Sequence, residues 1–198
     1  MFILGLTGSI GMGKSTTSGF FREAGIPVYD ADAAVHRLYS GKAAPLIEQA
    51  FPGTTADGVV DRLKLGAAVL GNSDAMKRLE SIIHPLVQQT QQDFRRTCRE
   101  QSRPLVVLDI PLLFETGGDA RVDAVAVVSA APDIQRARVL ARPGMTADKF
   151  EAILARQMAD SDKRRRAHVV IDTGLGLEPA RRQVQSIIRA LAGAQGSH

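Results

Sequence analysis

The stretch Gly8-Ser9-Ile10-Gly11-Met12-Gly13-Lys14-Ser15 decides the fold of this chain. It matches the pattern G-x-x-x-x-G-K-S, a glycine-rich loop that wraps around phosphate groups. The apolar run Phe2–Leu6 leads into it, and a helix-compatible segment, Ser15–Ala24, follows it. Strand, glycine-rich turn and helix are the context in which such a loop binds phosphate. The stretch therefore predicts a nucleotide-phosphate site rather than a chance glycine-rich turn.

The residue types in this loop each meet a chemical requirement of phosphate binding. Glycines allow the backbone to approach the anion closely and to adopt conformations that a Cβ atom would forbid. The N–H groups of the loop and of the helix N-terminus then face the phosphates. Lys14 supplies a mobile positive charge for the β- and γ-phosphates, and the Ser15 hydroxyl is a hard oxygen ligand suited to Mg²⁺.

The length and composition indicate an ordinary globular α/β domain of 198 residues, of which 44% are apolar and 23% are charged. No apolar run approaches the length of a membrane span, and the first strand begins too near the N-terminus to leave room for a signal peptide. Cys98 is the only cysteine, so an intrachain disulfide is impossible. These features predict a protein of a reducing compartment, the cytoplasm, with no membrane partner.

The net charge of +4 favours anionic partners such as nucleotides or a phosphorylated substrate. Nucleic acid is the weaker interpretation, because the chain has no tryptophan and its only tyrosines are Tyr29 and Tyr39. Side chains on which bases could stack are therefore scarce. We expect no nucleic-acid partner.

Five short apolar segments are predicted to be buried parallel strands, because each is continuous rather than alternating. They are Phe2–Leu6, Pro27–Asp30, Leu105–Asp109, Ala124–Ser129 and Val169–Ile171. Helical patterns lie between them. This βαβ series predicts a doubly wound α/β fold with a five-stranded parallel sheet and with its site at the carboxyl ends of the strands.

The interval between the second and third strands, residues 31–103, is too long for one crossover. It contains a turn signal at Asp57-Gly58 and, from Ser73 or Asp74, apolar residues at helical spacing that predict one long helix. Pro85 interrupts that helix and is expected to kink it. We interpret residues 57–103 as a helical insertion beside the nucleotide site that holds the second substrate.

Residues 142–166 form a second insertion-like segment, which is rich in Lys and Arg. A basic, mobile lid over the phosphates and a solvated helix face are equally compatible with this composition. For the run Lys163-Arg164-Arg165-Arg166 the solvated face is favoured. After Glu178-Pro179 a terminal amphipathic helix is predicted, and residues 193–198 are expected to fray. The apolar face of that helix consists of Val184, Ile187, Ile188 and Leu191.

Three classes of P-loop protein compete for this chain. A GTPase needs the guanine-reading motif N-K-x-D, but the only asparagine, Asn72, is followed by Ser73. A nucleic-acid motor or a DNA-binding ATPase is usually larger and has more aromatic or basic surface. A small-molecule kinase fits both the length and the helical insertion.

The triplet Asp30-Ala31-Asp32, at the end of the second strand, offers a carboxylate for kinase chemistry. One carboxylate at this edge of the sheet suffices to orient an attacking hydroxyl, since phosphoryl transfer asks the protein mainly for positioning and charge neutralisation. Alternatively, Asp32 is the N-cap of a helix Ala33–Tyr39, because Asp is a preferred cap. The spacing alone leaves both roles open.

Several motifs occur together along the chain. They are Leu6-Thr7-Gly8-Ser9-Ile10-Gly11-Met12-Gly13-Lys14-Ser15-Thr16, the triplet Asp30-Ala31-Asp32, Leu79-Glu80-Ser81-Ile82-Ile83-His84-Pro85, and Pro111-Leu112-Leu113-Phe114-Glu115. Arg138 and Arg142 also precede a helix that ends near Gln157. In this combination the chain resembles, over nearly its whole length, the dephospho-coenzyme A kinase family, whose members add the 3′-phosphate that completes coenzyme A. The P-loop alone would not be specific.

The resemblance implies roles for individual residues. Asp32 takes or orients the proton of the ribose 3′-hydroxyl. Arg142, with Arg138, belongs to a closing lid that stabilises charge on the transferring phosphoryl group. Residues 57–103 become the coenzyme-binding insertion. The phosphates of ATP, the phosphoryl donor bound with Mg²⁺, are held by Gly11, Met12, Gly13, Lys14, Ser15 and Thr16, and the candidate substrate contacts are Thr7, Asp32, Arg62, His84 and Arg138.

Some of these candidates have a structural alternative. His84 precedes a proline in a helix, and lone histidines are more often structural, while Arg62 is equally compatible with an ordinary surface residue. Within Pro111–Glu115 only Glu115 is expected to reach a ligand. Asp109 ends an apolar strand where a P-loop enzyme often keeps a carboxylate on the magnesium side, so it joins the loop serine as a candidate metal ligand.

The chain departs from the family pattern at two places. Around the last strand it has Ala167-His168-Val169-Val170-Ile171-Asp172-Thr173-Gly174, where the family has Ala-Asp before the apolar run and Asn after its Asp. No contact to adenine or ribose is therefore assigned there. Pro143 follows Arg142 where an acid is common, and it is expected to stiffen the hinge of the lid.

These observations together lead us to expect ATP-dependent phosphorylation of the 3′-hydroxyl of dephospho-coenzyme A, the last step of coenzyme A biosynthesis. The runner-up is another nucleoside or nucleotide kinase of the same architecture. The rival from a different class is a regulatory or nucleic-acid-associated P-loop protein. For the assembly, a monomer is favoured.

Overall fold

The computed structural model describes residues 1–193. The chain divides into two compact units, one made of Met1–Tyr29 with the segment from Cys98 onward, the other of Asp30–Thr97. In chain order the elements are β1 (Phe2–Thr7), α1 (Lys14–Glu23), β2 (Val28–Asp30), α2 (Ala31–Tyr39), α3 (Ala44–Ala50), β3 (Thr55–Ala56), β4 (Val59–Val60), α4 (Arg62–Val69), α5 (Ser73–Glu100), β5 (Leu105–Asp109), a 3₁₀ turn (Gly118–Arg121), β6 (Ala124–Ser129), α6 (Pro132–Leu140), α7 (Ala147–Leu154), α8 (Asp160–Arg166), β7 (Val169–Asp172) and α9 (Leu177–Gly193).

The first unit is built on a five-stranded sheet in the order β2-β5-β1-β6-β7. β1 pairs in parallel with β5, Phe2 opposite Leu105, and with β6, Leu4 opposite Ala124. β6 pairs in parallel with β7. The five predicted strands are confirmed, each within one residue at its ends, and the parallel α/β fold with them. The central position of β1 places the loop that follows it in the middle of the carboxyl edge of the sheet.

Apolar side chains of α1 and α9 cover one part of this sheet. Phe20 and Phe21 of α1 are buried with Leu4 and Leu6 of β1. In α9 the predicted apolar face is confirmed, because Val184 is buried in this core and Ile187, Ile188 and Leu191 are packed against it. Residues 193–198 were expected to fray. Of these, residues 194–198 lie outside the described part of the chain.

The second unit contains the turn that was predicted at Asp57-Gly58. β3 and β4 pair antiparallel around it, Ala56 opposite Val59. Asp57 has φ 51° and Gly58 has φ 76°, so both central residues are left-handed. That is the requirement of the tight turn with which an Asp-Gly pair closes a two-residue hairpin.

The long helix of the second unit begins where the sequence predicted. The Asn72 side-chain oxygen accepts hydrogen bonds from the Asp74 and Ala75 N–H groups, both at 3.1 Å, and so caps α5. The buried Leu79 and Ile83 of α5 pack with residues of α2, α3 and α4. Pro85 does not interrupt the helix, contrary to expectation: α5 continues through it to Glu100. A proline in a helix removes one N–H donor, and the kink expected at Pro85 stays a prediction.

Within residues 1–193, no helix has both the length and the apolar character that a membrane crossing requires.

Candidate active site

The loop between β1 and α1 has the backbone of a phosphate-binding loop. Gly11 and Gly13 have φ of 79° and 87°, which favours glycine at both positions. A Cβ atom on Gly8 would lie 2.3 Å from a methyl group of Val128, and one on Gly11 would lie 2.5 Å from a methyl group of Val139. Gly13 is the N-cap of α1 and provides no side-chain cap. The first N–H groups of α1 therefore remain available to an anion.

Two glutamine side chains hold the outer part of this loop. The Gln135 side-chain amide donates to the Ile10 carbonyl at 2.7 Å, and the Ile10 N–H donates to the Gln157 side-chain oxygen at 3.0 Å. Gln135 lies on α6 and Gln157 follows α7, both more than a hundred residues further along the chain. Neither glutamine was predicted to support the loop, since no local sequence pattern links them to it.

The structure brings two predicted residues, Lys14 and Asp109, into direct contact. The Lys14 ammonium forms an ion pair with Asp109 Oδ1. Asp109 is only 2% exposed at the end of β5, so its carboxylate needs such a partner. Ser15 and Thr16, at the start of α1, are exposed. The phosphate-side lysine, a hydroxyl and a buried carboxylate thus lie around one helix N-terminus.

A cavity of about 230 Å³ adjoins the loop and contains both predicted arginines. Arg138 donates from its guanidinium to the hydroxyl and the carbonyl of Thr173, at 3.0 and 2.8 Å. Arg142 is exposed. Two positively charged side chains therefore lie beside the phosphate loop. The lining consists of Gly11, Gly13, Thr16, Thr17, Phe20, Arg138, Arg142, Thr173, Gly176, Leu177 and Ala180.

Thr7, a predicted substrate contact, is fully buried in this structure. Its hydroxyl donates to the Pro111 carbonyl at 3.0 Å, across the neighbouring strands β1 and β5. The hydroxyl thereby supports the segment that follows β5.

Glu115 and the basic run of α8 lie in surroundings that differ from the two predictions made for them. Glu115 was expected to reach a ligand, yet its side-chain oxygen accepts from the Met158 N–H at 2.8 Å and lies 2.9 Å from the Lys163 ammonium. Lys163 was assigned to a solvated face, yet it is 0% exposed. Arg166 of the same run pairs with Asp119 at 2.6 Å. Arg164, Arg165 and Arg166 are exposed, so three of the four basic residues face solvent as predicted and Lys163 does not.

The charge of Glu115 is maintained by its two partners. Burial by itself would raise the pKa of this carboxyl group, but the adjacent Lys163 ammonium and the N–H of Met158 outweigh burial and hold the pKa below its usual range. Glu115 is therefore an ionised internal residue that joins the segment after β5 to α8.

In the second unit, Asp32 is not the helix cap. α2 begins at Ala31, two residues earlier than expected, and its N-cap is Asp30, whose Oδ1 accepts from the Ala33 N–H at 2.9 Å. Asp32 lies within the first helical turn and is exposed. The capping alternative is therefore wrong for Asp32, because the cap of α2 is Asp30.

The other predicted contacts of the second unit, Arg62 and His84, are both exposed. Arg62 is the first residue of α4, whose N-cap Asp61 accepts from two N–H groups. Burial raises the pKa of Tyr39, and the positive charge of Arg62 partly opposes this effect, so the two side chains are close enough to interact. His84 lies on α5, one residue before Pro85. Neither side chain is buried as a core residue.

A parallel sheet with a phosphate loop after its central strand and a lysine at the start of the next helix defines a P-loop nucleotide-binding protein of the kinase type. Among solved structures, the chain is similar in fold to dephospho-CoA kinase from Campylobacter jejuni, with a TM-score of 0.68 at 21% identity over 96% of both chains. It is also similar to a protein of Thermus thermophilus, with a TM-score of 0.82 at 35% identity over 96% of this chain and 97% of that one.

The chain belongs to the dephospho-CoA kinase family. The model of that family, described as dephospho-CoA kinase, matches residues 2–178. A dephospho-CoA kinase of Mesorhizobium japonicum is 62% identical over 197 residues, which cover 100% of both chains. The family expected from the motifs is thereby confirmed, and the chain is not assigned to the GTPase or nucleic-acid-motor classes.

Proposed function

We propose that this protein transfers the γ-phosphoryl group of ATP to the 3′-hydroxyl of dephospho-coenzyme A, giving coenzyme A and ADP. The observation that carries this proposal is the full-length match to dephospho-CoA kinases, in a chain whose phosphate loop has the required backbone. Such a reaction is a phosphotransfer to an alcohol. It needs a bound triphosphate, an oriented hydroxyl and compensation of the charge that develops between them.

On the donor side, the residues from Gly11 to Thr16 hold the phosphates of ATP, and Lys14 compensates charge on the β- and γ-phosphates. The free first-turn N–H groups of α1 support this assignment. When ATP arrives, Lys14 exchanges its contact with Asp109 for the phosphates. The positive charge is already at the loop before the nucleotide binds, so little rearrangement is needed.

The metal in this proposal is Mg²⁺, held by Ser15 with Asp109 as a second candidate. Hydroxyl and carboxylate oxygens are the donors that Mg²⁺ prefers. In the described residues, no group of three or more His, Cys, Asp or Glu side chains gathers as a metal site. Few protein ligands suit Mg²⁺, which keeps several waters and binds substrate phosphates. When bound, the ion neutralises charge on the phosphate oxygens.

On the acceptor side, Asp32 accepts the proton of the 3′-hydroxyl while that oxygen attacks the γ-phosphorus and ADP leaves. Its exposure, and the fact that Asp30 supplies the cap of α2, support this role. Residues 57–103 form the coenzyme-binding insertion, with the exposed Arg62 and His84 as contacts. Thr7, which was predicted as a contact, is not proposed as one, because its side chain is fully buried and its hydroxyl supports the segment at Pro111.

Residues 142–166 act as the lid, and Arg142 is its catalytic cation. Arg142 is exposed on the wall of the cavity beside the loop, so it can follow the charge of the transferring phosphoryl group. Arg138 makes two hydrogen bonds to Thr173 and therefore contributes a more fixed positive charge. We further propose that the protein works in the cytoplasm as a monomer, which light scattering after size exclusion tests.

One assay tests the function. ADP release is measured with MgATP and dephospho-coenzyme A, with a panel of nucleoside monophosphates, and with DNA. Stimulation by dephospho-coenzyme A, with a product that carries a 3′-phosphate, is the expected result. Stimulation only by nucleoside monophosphates would replace the proposal with a nucleotide kinase, and stimulation only by DNA would replace it with a nucleic-acid-associated ATPase.

A further inference from the structure

Thr173 links three parts of the first unit through one small side chain. It follows β7 and is only 6% exposed. Its hydroxyl donates to the Met12 carbonyl in the phosphate loop at 2.8 Å and accepts from Arg138 Nη1 at 3.0 Å. Its N–H donates to the Ser129 carbonyl at the end of β6, at 2.9 Å. The threonine is therefore held by the sheet and in turn holds the loop and the arginine.

The contact with the loop involves two successive residues. Besides the hydrogen bond to Met12, Thr173 packs directly against Gly13, where an added Cβ atom would lie 3.2 Å from the Thr173 hydroxyl oxygen. Gly13 is left-handed and immediately precedes Lys14. The position of Thr173 thus restrains the backbone from which the phosphate-binding lysine extends.

The contact with Arg138 restrains the direction of its positive charge. Two N–H groups of the guanidinium bind the hydroxyl and the carbonyl of Thr173, as a fork. The carbonyl acceptor belongs to the backbone and is kept when Thr173 is substituted, whereas the hydroxyl is lost unless the new residue also carries one. Loss of the hydroxyl would leave the guanidinium with one of these two bonds, and so free to turn about it.

We propose that Thr173 is a positioning residue for the donor nucleotide. Its hydroxyl sets the Met12 carbonyl and the Arg138 guanidinium in one arrangement before the triphosphate arrives, so that the loop and the cavity beside it are already in place for binding. Preorganisation of this kind lowers the cost of ordering the site during binding. This inference rests on the proposed function only in taking ATP as the ligand of the loop.

The test compares Thr173→Val, which keeps the shape and removes the hydroxyl, with Thr173→Ser, which keeps the hydroxyl. MgATP binding is measured by titration calorimetry, and KM is measured separately for ATP and for dephospho-coenzyme A. Thr173→Val is expected to weaken ATP binding about tenfold, the effect of one lost charge-assisted hydrogen bond. Thr173→Ser should stay within about twofold of the parent protein, and in Thr173→Val the KM of ATP should rise more than the KM of dephospho-coenzyme A.

Thr54→Val is the matched control for a general loss of stability. Thr54 is 4% exposed, and its hydroxyl donates to the Phe51 carbonyl, in the other unit. This variant should lower the melting temperature and leave ATP binding unchanged. If Thr173→Val binds ATP as the parent does, or if Thr54→Val weakens ATP binding equally, Thr173 has only a structural role.

The effect of the hydroxyl should also depend on Arg138. In an Arg138→Ala background the hydroxyl has only the loop to position, so Thr173→Val should weaken ATP binding less than in the parent protein. An undiminished effect would contradict the role assigned to Arg138. Because ATP binding is read directly, these outcomes are independent of the acceptor: a protein that binds ATP but does not phosphorylate dephospho-coenzyme A would overturn the proposed function alone.

Discussion

The ion pair between Lys163 and Glu115 allows us to predict how substitutions at these residues change the free energy of unfolding. The Lys163 side chain is 0% exposed and the Glu115 side chain is 17% exposed, at a distance of 2.9 Å. Removing one partner of a buried pair leaves the other charge without compensation and costs about 3–5 kcal/mol. Removing both partners in favour of apolar side chains often costs little, since the desolvation of both charges is then avoided.

The two single variants are expected to differ because their remaining charges differ in exposure. Lys163→Met leaves Glu115, which is partly solvated and keeps the N–H of Met158, so we expect a loss of about 3 kcal/mol. Glu115→Leu leaves a fully buried ammonium, and we expect about 4–5 kcal/mol. For a chain of this length, 3 kcal/mol lowers the melting temperature by about 6–12 °C.

The double variant Lys163→Met/Glu115→Leu decides whether the pair is the cause. It should lose about 1–2 kcal/mol, for the N–H of Met158 that then lacks an acceptor, and so be more stable than either single variant. Urea unfolding followed by circular dichroism gives the four free energies. Arg165→Met is the matched control, because Arg165 pairs with Asp162 on the exposed side of the same helix and should matter by less than about 0.5 kcal/mol. A double variant whose loss equals the sum of the single losses would refute the reasoning.

The pH dependence of the same pair follows from the direction of the Glu115 shift. The pKa of Glu115 is held below its usual range in the folded protein. Its ionised form therefore stabilises the fold above the unfolded pKa of about 4.3. That stabilisation is lost as the pH falls from this value through the lower folded pKa. The gap in unfolding free energy between the parent protein and Glu115→Leu should accordingly narrow below about pH 4.

Three further predictions concern the loop and the start of α2. Asp32→Asn should keep ATP affinity in calorimetry and lose most of the turnover, whereas turnover like that of the parent would contradict its role as the base. Asp30→Ala should lower the unfolding free energy by about 1 kcal/mol, because α2 loses its cap, and unchanged urea unfolding would refute that assignment. Gly11→Ala should abolish measurable ATP binding, since its Cβ would lie 2.5 Å from Val139 at a φ of 79°; retained binding would show that the loop can adjust.

The elements that depend on local sequence were predictable. The five strands are short, continuous apolar runs, and the hairpin turn and the cap of α5 are set by neighbouring residues such as Asp57 and Asn72. The start of α2 was predicted two residues too late, because only Asp32 of the triplet Asp30-Ala31-Asp32 was considered as its cap. In the structure Asp30 is the cap, which removes the capping alternative for Asp32 and leaves it as an exposed carboxylate.

The position of Lys163 could not be predicted from its own neighbourhood. Four consecutive basic residues are usually solvated, and helical spacing alone indicates that one of them can face inward. Which one does so depends on Glu115, which is 48 positions earlier in the chain and lies after a different strand. An internal carboxylate of this kind has no local signature, so among the mainly apolar residues of Pro111–Glu115 only Glu115 was considered able to reach a ligand.

The phosphate loop itself shows where local prediction ends. Its glycines, lysine and serine identify phosphate chemistry from a few residues, because the backbone conformations and charges that they allow are local properties. Its geometry, however, is held by Gln135, Gln157 and Thr173, whose hydrogen bonds reach 125, 147 and 161 positions along the chain. These contacts exist because β1 lies beside β6, which brings the segments around β6 and β7 to the loop. We therefore expect a substitution in that distant part of the chain to alter nucleotide binding without changing the motif.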